Sequence, residues 1–159
     1  MIFLILYMLP LGYVTCLRIV PPNQPTYQSS TLDGYSASFA FDGHKGQNLT
    51  QNKCSHTKYQ YGPWWMVDLG ERKLILAVVI YNRIDGGVGE LSLAAVEVLN
   101  AQNYIVKTCG LIDKDEPIYG FWCNKLIGVI GNKIRIRKPG LGYLTLCEVQ
   151  VVEGPFNGG

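Results

Sequence analysis

The sequence predicts an all-β fold, an antiparallel β-sandwich or barrel. Short apolar segments rich in β-branched residues recur from Pro63 onward, and Gly, Pro, Asn and Asp separate them. No segment carries a sustained helical period with capping residues at its ends. Short strands divided by turn signals are the pattern that antiparallel sandwiches and barrels share.

Each predicted strand follows from its own pattern. Residues 74–81 are continuously apolar and β-branched, which predicts a strand buried on both faces. Residues 133–137 alternate strictly between polar and apolar, which predicts a half-buried strand, and residues 144–152 alternate again. The chain from Leu17 to Tyr61 is polar, and no regular element stands out there. The further strand candidates are residues 64–69, 95–99, 104–108 and 125–130.

Length and composition exclude several classes of protein. The chain has 159 residues, which suits one domain, and 48% of them are apolar against 16% charged, enough for a packed core. The formal net charge is only +2 and no basic stripe is present, which argues against nucleic acid as a partner. No Gly-x-Ser-x-Gly nucleophile motif occurs, and the spacing of the histidines and acids singles out no acid–base pair. We therefore expect no enzymatic activity.

The amino-terminal residues predict a secreted protein. The run from Ile2 to Val14 is apolar and uncharged, and it is short for a helix that crosses a bilayer. Residues 1–16 are interpreted as a signal peptide with cleavage near Thr15 or Cys16, although no Lys or Arg precedes the apolar run. A buried amino-terminal segment is the alternative. The folded domain is then expected over residues 17–153, with residues 154–159 as a tail and no membrane span.

Four cysteines remain after the signal peptide, and an oxidising compartment favours their pairing. Pairing Cys109 with Cys123 closes a compact loop around Pro117, which leaves Cys54 to join Cys147 near the last strand. A zinc site is the alternative, but no two of these cysteines have the usual close spacing. In a secreted chain the Asn48-Leu49-Thr50 sequon predicts N-glycosylation of Asn48.

Four motifs together resemble those of the F-type lectins, or fucolectins. They are CSHT at 54–57, PWWMVDLG at 63–70, NRID at 82–85 and LTLCEVQV at 144–151. The resemblance runs from about Thr26 to Val152. It implies a jelly-roll β-sandwich of the discoidin-like kind in a secreted protein that binds carbohydrate, fucose above all.

The resemblance also implies which residues meet the sugar. In that family a histidine is followed after 26 residues by Arg-x-Asp and, four residues later, by a second cation; His56, Arg83 and Asp85 keep this spacing. An arginine fork and a neutral imidazole supply the donors and the acceptor that sugar hydroxyls need. Glu90 stands where the second cation is expected. We expect Glu90 to pair with Arg83 and to weaken fucose binding or change its specificity.

Two further points qualify this site. Many fucolectins carry neighbouring cysteines after the Asp, and their disulfide packs on the sugar; this chain has Gly86-Gly87 instead. Read as isolated residues, Arg83 could simply form a salt bridge with Asp85, and His56 could be a hydrogen-bonded loop residue.

A structural calcium ion is the cofactor that the resemblance implies. The expected ligands combine two acids with backbone carbonyls and the position where the family often has Asn; they are Phe39, Asp42, His44, Lys53, Cys147 and Glu148. Calcium prefers hard oxygen ligands, so His44 would contribute its carbonyl rather than its ring. The plainer interpretation is that Asp42 caps a turn and that Glu148 is a solvated acid.

The predicted function is extracellular, calcium-dependent recognition of glycans, fucosylated if the site is competent. The alternative is a degenerate lectin domain that serves protein–protein or cell-surface adhesion without sugar. A homo-oligomer would suit a lectin, because weak single sites gain from multivalency.

Overall fold

The computed structural model describes residues 6–8 and 14–156. Most of the predicted signal peptide and the end of the predicted tail lie outside the described residues. Within them the chain forms fourteen strands and one short helix, α1 (Leu49–Asn52). The strands are β1 (Leu6–Met8), β2 (Val14–Cys16), β3 (Arg18–Ile19), β4 (Thr26–Gln28), β5 (Ser55–His56), β6 (Gln60–Tyr61), β7 (Trp64–Tyr81), β8 (Ala95–Leu99), β9 (Ile105–Leu111), β10 (Ile118–Trp122), β11 (Val129–Arg137), β12 (Leu141–Gly142), β13 (Thr145–Leu146) and β14 (Glu148–Gly154). Two 3₁₀ turns, Ala37–Ala40 and Val88–Leu91, complete the described elements.

The long strand β7 organises the fold. Its first half lies between β4 and β11, and its second half lies between β10 and β14, all antiparallel. The main sheet runs in the order β3-β14-β7-β11-β8-β9. Three two-stranded sheets accompany it: β1 with β2, β5 with β13, and β6 with β12. The predicted antiparallel β-sandwich is confirmed.

A bulge lets β7 serve both groups of strands. Between the pairs Lys73–Gly131 and Asp68–Lys133 the register shifts, so that residues 69–72 bow out of the ladder. Gly70 has φ +77°, a conformation that side chains disfavour, and its N–H donates to the Asp68 carboxylate at 2.9 Å.

The core lies between the layers and is filled mainly by aliphatic side chains. Trp65 is its largest member, 1% exposed, and its indole N–H donates to the Ala37 carbonyl at 2.9 Å. The apolar run 74–81 is less buried than predicted. Ile75, Val78 and Ile80 are fully buried and Ala77 is buried at 7% exposed, whereas residues 74, 76, 79 and 81 are half-buried. One face of this segment is therefore fully covered and the other is covered only in part.

Two other predictions about the strands need correction. Residues 124–128 form a turn rather than the first part of a strand, because the Asn124 side chain accepts from the N–H groups of Leu126 and Ile127. The strand before it, β10, was not predicted. Residues 144–152 do not form one alternating strand: residues 144–149 are all buried, and Cys147 separates β13, which pairs with β5, from β14, which pairs with β7.

Both predicted disulfides are confirmed. Cys54 is bonded to Cys147 and Cys109 to Cys123, which closes loops with sequence separations of 93 and 14 residues. The first bond ties α1 and β5 to the carboxyl-terminal strands, and the second joins β9 to the end of β10. No helix in the described ranges is long and apolar enough to cross a membrane.

Candidate functional site

The loop that follows β7 is held by Asn82, a residue whose role the sequence analysis missed. Asn82 is fully buried, and its side-chain amide donates to the carbonyls of Val88 and Glu116 at 3.0 and 3.1 Å. Its Oδ1 accepts from the N–H of Arg83, and its own N–H donates to the Pro117 carbonyl. A buried amide with these partners fixes the start and the far side of the loop together.

Arg83 pairs with Asp85, not with Glu90. Its Nε donates to Asp85 Oδ1 at 2.8 Å, and the same oxygen accepts from the N–H of Leu49 at 3.3 Å. Partial burial acts to raise the pKa of the Asp85 carboxyl, but these two hydrogen bonds lower it overall. The expected pairing of Glu90 with Arg83 is therefore wrong. The guanidinium of Arg83 is oriented by its Nε hydrogen bond to the Asp beside it.

Glu90 lies in the 3₁₀ turn Val88–Leu91 and points towards β5 and β13. Its carboxylate accepts a short hydrogen bond from the hydroxyl of Thr145, and its Oε2 lies 3.8 Å from Nε2 of His56. Thr145 and His56 are directly opposite each other in the β5–β13 pair, so their side chains share one face. The ammonium group of Lys138 stabilises the turn by donating to the backbone carbonyl of Glu90 at 2.9 Å.

The hydrogen bond on the other side of the ring fixes the tautomer of His56. Nδ1 lies 2.7 Å from the carbonyl of Thr57, and a carbonyl can only accept, so Nδ1 carries the proton. In the neutral ring Nε2 is then an acceptor. It faces the Glu90 carboxylate, which is an acceptor too. A hydroxyl oxygen does not fit between two atoms 3.8 Å apart, but a hydroxyl group beside the pair could donate to either acceptor.

Gly86 and Gly87 connect the two charged parts of the loop. A Cβ on Gly86 would lie 3.5 Å from the Arg83 guanidinium, and a Cβ on Gly87 would lie 2.5 Å from the Glu90 carboxylate. Gly87 also has φ +63°. Gly87 therefore gives Glu90 room to fold back over the loop, a reason that the sequence analysis did not identify, whereas the contact of a Cβ at Gly86 with Arg83 would be an ordinary one.

Aromatic side chains border the histidine. The ring of Tyr143 meets the ring of His56 edge-on with centroids 5.3 Å apart, and Tyr59 lies 5.1 Å beyond Tyr143. Of the neighbouring Trp64 and Trp65, Trp65 belongs to the core and is not part of this border.

A second polar cluster surrounds the predicted calcium ligands. The N–H of Gly43 donates to Glu148 Oε2 at 3.3 Å, and Asp42 Oδ1 accepts from the N–H of His44 at 2.8 Å. The ammonium of Lys53 lies over the ring of Phe39 at 5.6 Å.

The disulfide between Cys54 and Cys147 brings the chain around Lys53 next to Glu148. The fold thus gathers the neighbourhoods of all six predicted ligands, and Asp42 also stabilises a turn, as the plainer interpretation required.

Glu148 is not the solvated acid of that interpretation. It is 3% exposed, and burial together with the negative charge of Asp42 raises the pKa of its carboxyl to about 8. The described residues contain no group of three or more His, Cys, Asp or Glu side chains that could hold a metal ion. A cation there would have to be held by two carboxylates and by backbone carbonyls, and calcium accepts such a donor set.

Comparison with known proteins agrees with this architecture. The family described as "NedA-like, galactose-binding domain" matches residues 39–121. A fucolectin from Anguilla anguilla is 43% identical over 72% of this chain and 75% of its own length. A fucose-binding module from Streptococcus pneumoniae superposes with a TM-score of 0.76 at 28% identity, covering 83% of this chain and 95% of the module. The lectin domain of lectinolysin, solved with the Lewis B antigen, superposes with a TM-score of 0.76 at 26% identity, covering 88% of this chain and 96% of that domain.

The fold and the loop site define a carbohydrate-binding domain of the lectin type. The relatives are lectins and carbohydrate-binding modules rather than catalytic domains. The chain belongs to the NedA-like galactose-binding domain family and, within it, to the fucolectins.

The chain matches only part of several longer proteins. It spans 34% of a pentraxin fusion protein from Xenopus laevis and 64% of a fucolectin from Anguilla japonica.

Proposed function

We propose that this domain binds a terminal sugar of the fucose type through His56, Arg83 and Glu90. The observation that carries the proposal is the pair of acceptors His56 Nε2 and Glu90 Oε2, 3.8 Å apart, on a domain of the fucolectin family. A sugar hydroxyl that approaches the pair from the side would donate to one of them. Arg83 would supply hydrogen-bond donors through its terminal amino groups, since its bond to Asp85 is made by Nε.

The roles differ from those that the resemblance implied. In the fucolectin motif a second cation would donate to the sugar, whereas in this chain Glu90 accepts from it. A carboxylate accepts strongly from hydroxyls because the hydrogen bond is charge-assisted. The site therefore recognises a sugar by a different set of hydroxyls, or the same sugar in a different orientation. Thr145 holds the Glu90 carboxylate in place and is a positioning residue.

A calcium ion is the cofactor that we propose beneath the site. Asp42 and the buried Glu148 would hold it, with carbonyls among Phe39, His44, Lys53 and Cys147. The positive charge of the ion would compensate the negative charges of these two carboxylates. Its contribution is to order the polar loop that leads into β5, on which His56 sits.

We place the protein outside the cell, in line with two disulfide bonds and with the predicted signal peptide. N-glycosylation of Asn48 stays a prediction. The Asn48 side-chain oxygen caps α1 by accepting from the N–H of Gln51 at 3.1 Å.

The experiment that tests the proposal is binding of the purified protein to immobilised fucosylated glycans, with free fucose as competitor. Competed binding supports sugar recognition. A surface that captures a protein partner while no glycan binds would instead favour the degenerate lectin without sugar binding. The salt bridge between Arg83 and Asp85 is compatible with both functions, so the binding experiment is what separates them.

A further inference from the structure

Beyond the terminal sugar, the structure carries a row of exposed aromatic side chains that the polar site does not use. We propose that this row is a second subsite that takes the next sugar unit of an oligosaccharide. The inference rests on the proposed function, since the terminal sugar must sit at His56. The row, called the tyrosine ridge below, consists of Tyr143, Tyr59, Leu141 and Tyr61.

The ridge is continuous with the polar site. Tyr143 touches the His56 ring at 5.3 Å between centroids, and Tyr59 follows at 5.1 Å. Leu141 is paired with Tyr61 in the β6–β12 sheet, and both side chains are exposed, at 58% and 80%. The next unit of a bound glycan would lie on Tyr143, which meets the His56 ring, and on Tyr59 beside it.

Exposure rises steadily along the ridge. His56 is 4% exposed, Tyr143 37%, Tyr59 58% and Tyr61 80%. Large aromatic rings left open beside a polar site mark a binding surface more often than isolated apolar residues do. A sugar ring offers a face of C–H groups that packs on an aromatic ring while its hydroxyls point outward.

The ridge is held rigidly by backbone hydrogen bonds. The N–H of Thr57 donates to the Leu144 carbonyl at 3.0 Å, and the N–H of Leu144 donates to the Thr57 hydroxyl at 2.9 Å. At the far end, the N–H of Gly62 donates to the Gly140 carbonyl at 2.6 Å. A surface fixed in advance loses little conformational entropy when it binds, which suits a weakly interacting sugar.

A protein partner fits this surface less well. The ridge is narrow, and it begins at a polar site whose acceptors would be left without hydrogens under an apolar protein side chain. An oligosaccharide satisfies both parts at once, because its terminal unit supplies hydroxyls and its second unit supplies an apolar face.

The test compares free fucose with the Lewis B oligosaccharide by isothermal titration calorimetry. We expect the wild-type protein to bind the oligosaccharide about five- to tenfold more tightly, the range that one aromatic contact supports. Tyr59→Ala should remove this difference while leaving fucose binding unchanged, and Tyr59→Phe should keep it, because the ring and not the hydroxyl makes the contact. Tyr104→Ala is the matched control, since Tyr104 is 72% exposed at the β8–β9 turn.

The outcomes separate the two proposals. If Tyr59→Ala preserves the preference for the oligosaccharide, or weakens both ligands equally, the second subsite is wrong while sugar recognition stands. If neither ligand binds the wild-type protein, the proposed fucose-type function itself is wrong and the subsite is lost with it.

Discussion

Glu90 Oε2 faces His56 Nε2 at 3.8 Å, and the proton of the imidazole lies on the opposite nitrogen, bound to the carbonyl of Thr57. Glu90 Oε2 also accepts from the Thr145 hydroxyl, and a further donor that reaches the pair can bind either acceptor. In the proposed function, this relationship makes Glu90 a ligand contact rather than a residue that disables its arginine. The predictions below follow from it.

Replacing Glu90 with Gln should weaken sugar binding about five- to tenfold, because a charge-assisted hydrogen bond becomes a neutral one. Side-chain size is kept, so the thermal midpoint should change little. Calorimetric titration with the sugar that binds the wild-type protein measures the effect. Glu71→Gln is the control, because Glu71 is an exposed acid on the bulge of β7, paired with Lys73. Tighter binding by Glu90→Gln would mean that Glu90 opposes the ligand.

Gly87→Ala should lower sugar affinity by displacing Glu90, since its Cβ would come within 2.5 Å of that carboxylate. It should also cost about 1–3 kcal/mol of stability, because a side chain at φ +63° is strained. Gly70→Ala is the matched control: φ there is +77°, and nothing lies within 4 Å of the new Cβ. Both variants should melt earlier in calorimetry. Equal sugar affinity in the two would show that the position of Glu90 is unimportant.

Arg83→Lys should lose most of the sugar affinity although the charge is kept. The planar guanidinium can donate to Asp85 through Nε while its terminal amino groups donate to the ligand. A lysine ammonium is a single point charge and cannot present donors to both partners in this geometry. Stability should fall by no more than about 1 kcal/mol, as for other partly exposed ion pairs. Arg72→Lys on the bulge of β7 serves as the control in the same binding assay. Undiminished sugar binding by Arg83→Lys would show that Arg83 does not contact the sugar.

The stability of the calcium-free protein should fall as pH rises from about 5 to 8. Burial and the charge of Asp42 raise the pKa of Glu148 to about 8 in the folded state, above its ordinary value of 4.5. A raised pKa means that the folded state holds the proton more tightly, so its stabilising effect is present at low pH and lost as the carboxyl ionises.

Calcium should reverse this trend by compensating the ionised pair. At pH 8 we expect saturating calcium to raise the melting temperature by about 5–10 °C, the shift that binding at a hundredfold excess over Kd gives in a domain of this size. The Glu148→Gln variant should lose both the pH slope and the calcium response. If the melting temperature at pH 8 changes with neither calcium nor chelator, the proposed calcium site is contradicted.

The sheet architecture could be predicted from sequence because its signals are local. Residues 64–69 and 133–137 alternate, and turn residues separate the strands. The missed strand β10 contains Gly120 and Trp122 in a short segment without clear alternation, so its pairing with β7 depends on tertiary contacts that no local pattern records. The turn at 124–128 looked like a strand because Leu126 and Ile127 are apolar, yet both are exposed.

The partners of the proposed site residues could not be predicted from the sequence. The resemblance to the fucolectins singled out His56, Arg83 and Glu90, whereas the partner of each charge depends on loop geometry. Arg83 reaches Asp85 because the two are neighbours on the same turn, and Glu90 reaches Thr145 because β13 lies beside β5. A threonine within an alternating strand carries no signal of such a role. The disulfides were easier, since four cysteines allow few pairings.

The central claim is that His56, Arg83 and Glu90 bind a sugar in an extracellular glycan. A glycan array probed with the purified protein, with and without calcium, tests it most directly. The account predicts binding to fucosylated glycans that free fucose competes away, that Arg83→Ala abolishes and that chelation weakens. An array without sugar-competed signal from the folded, calcium-loaded protein would contradict it.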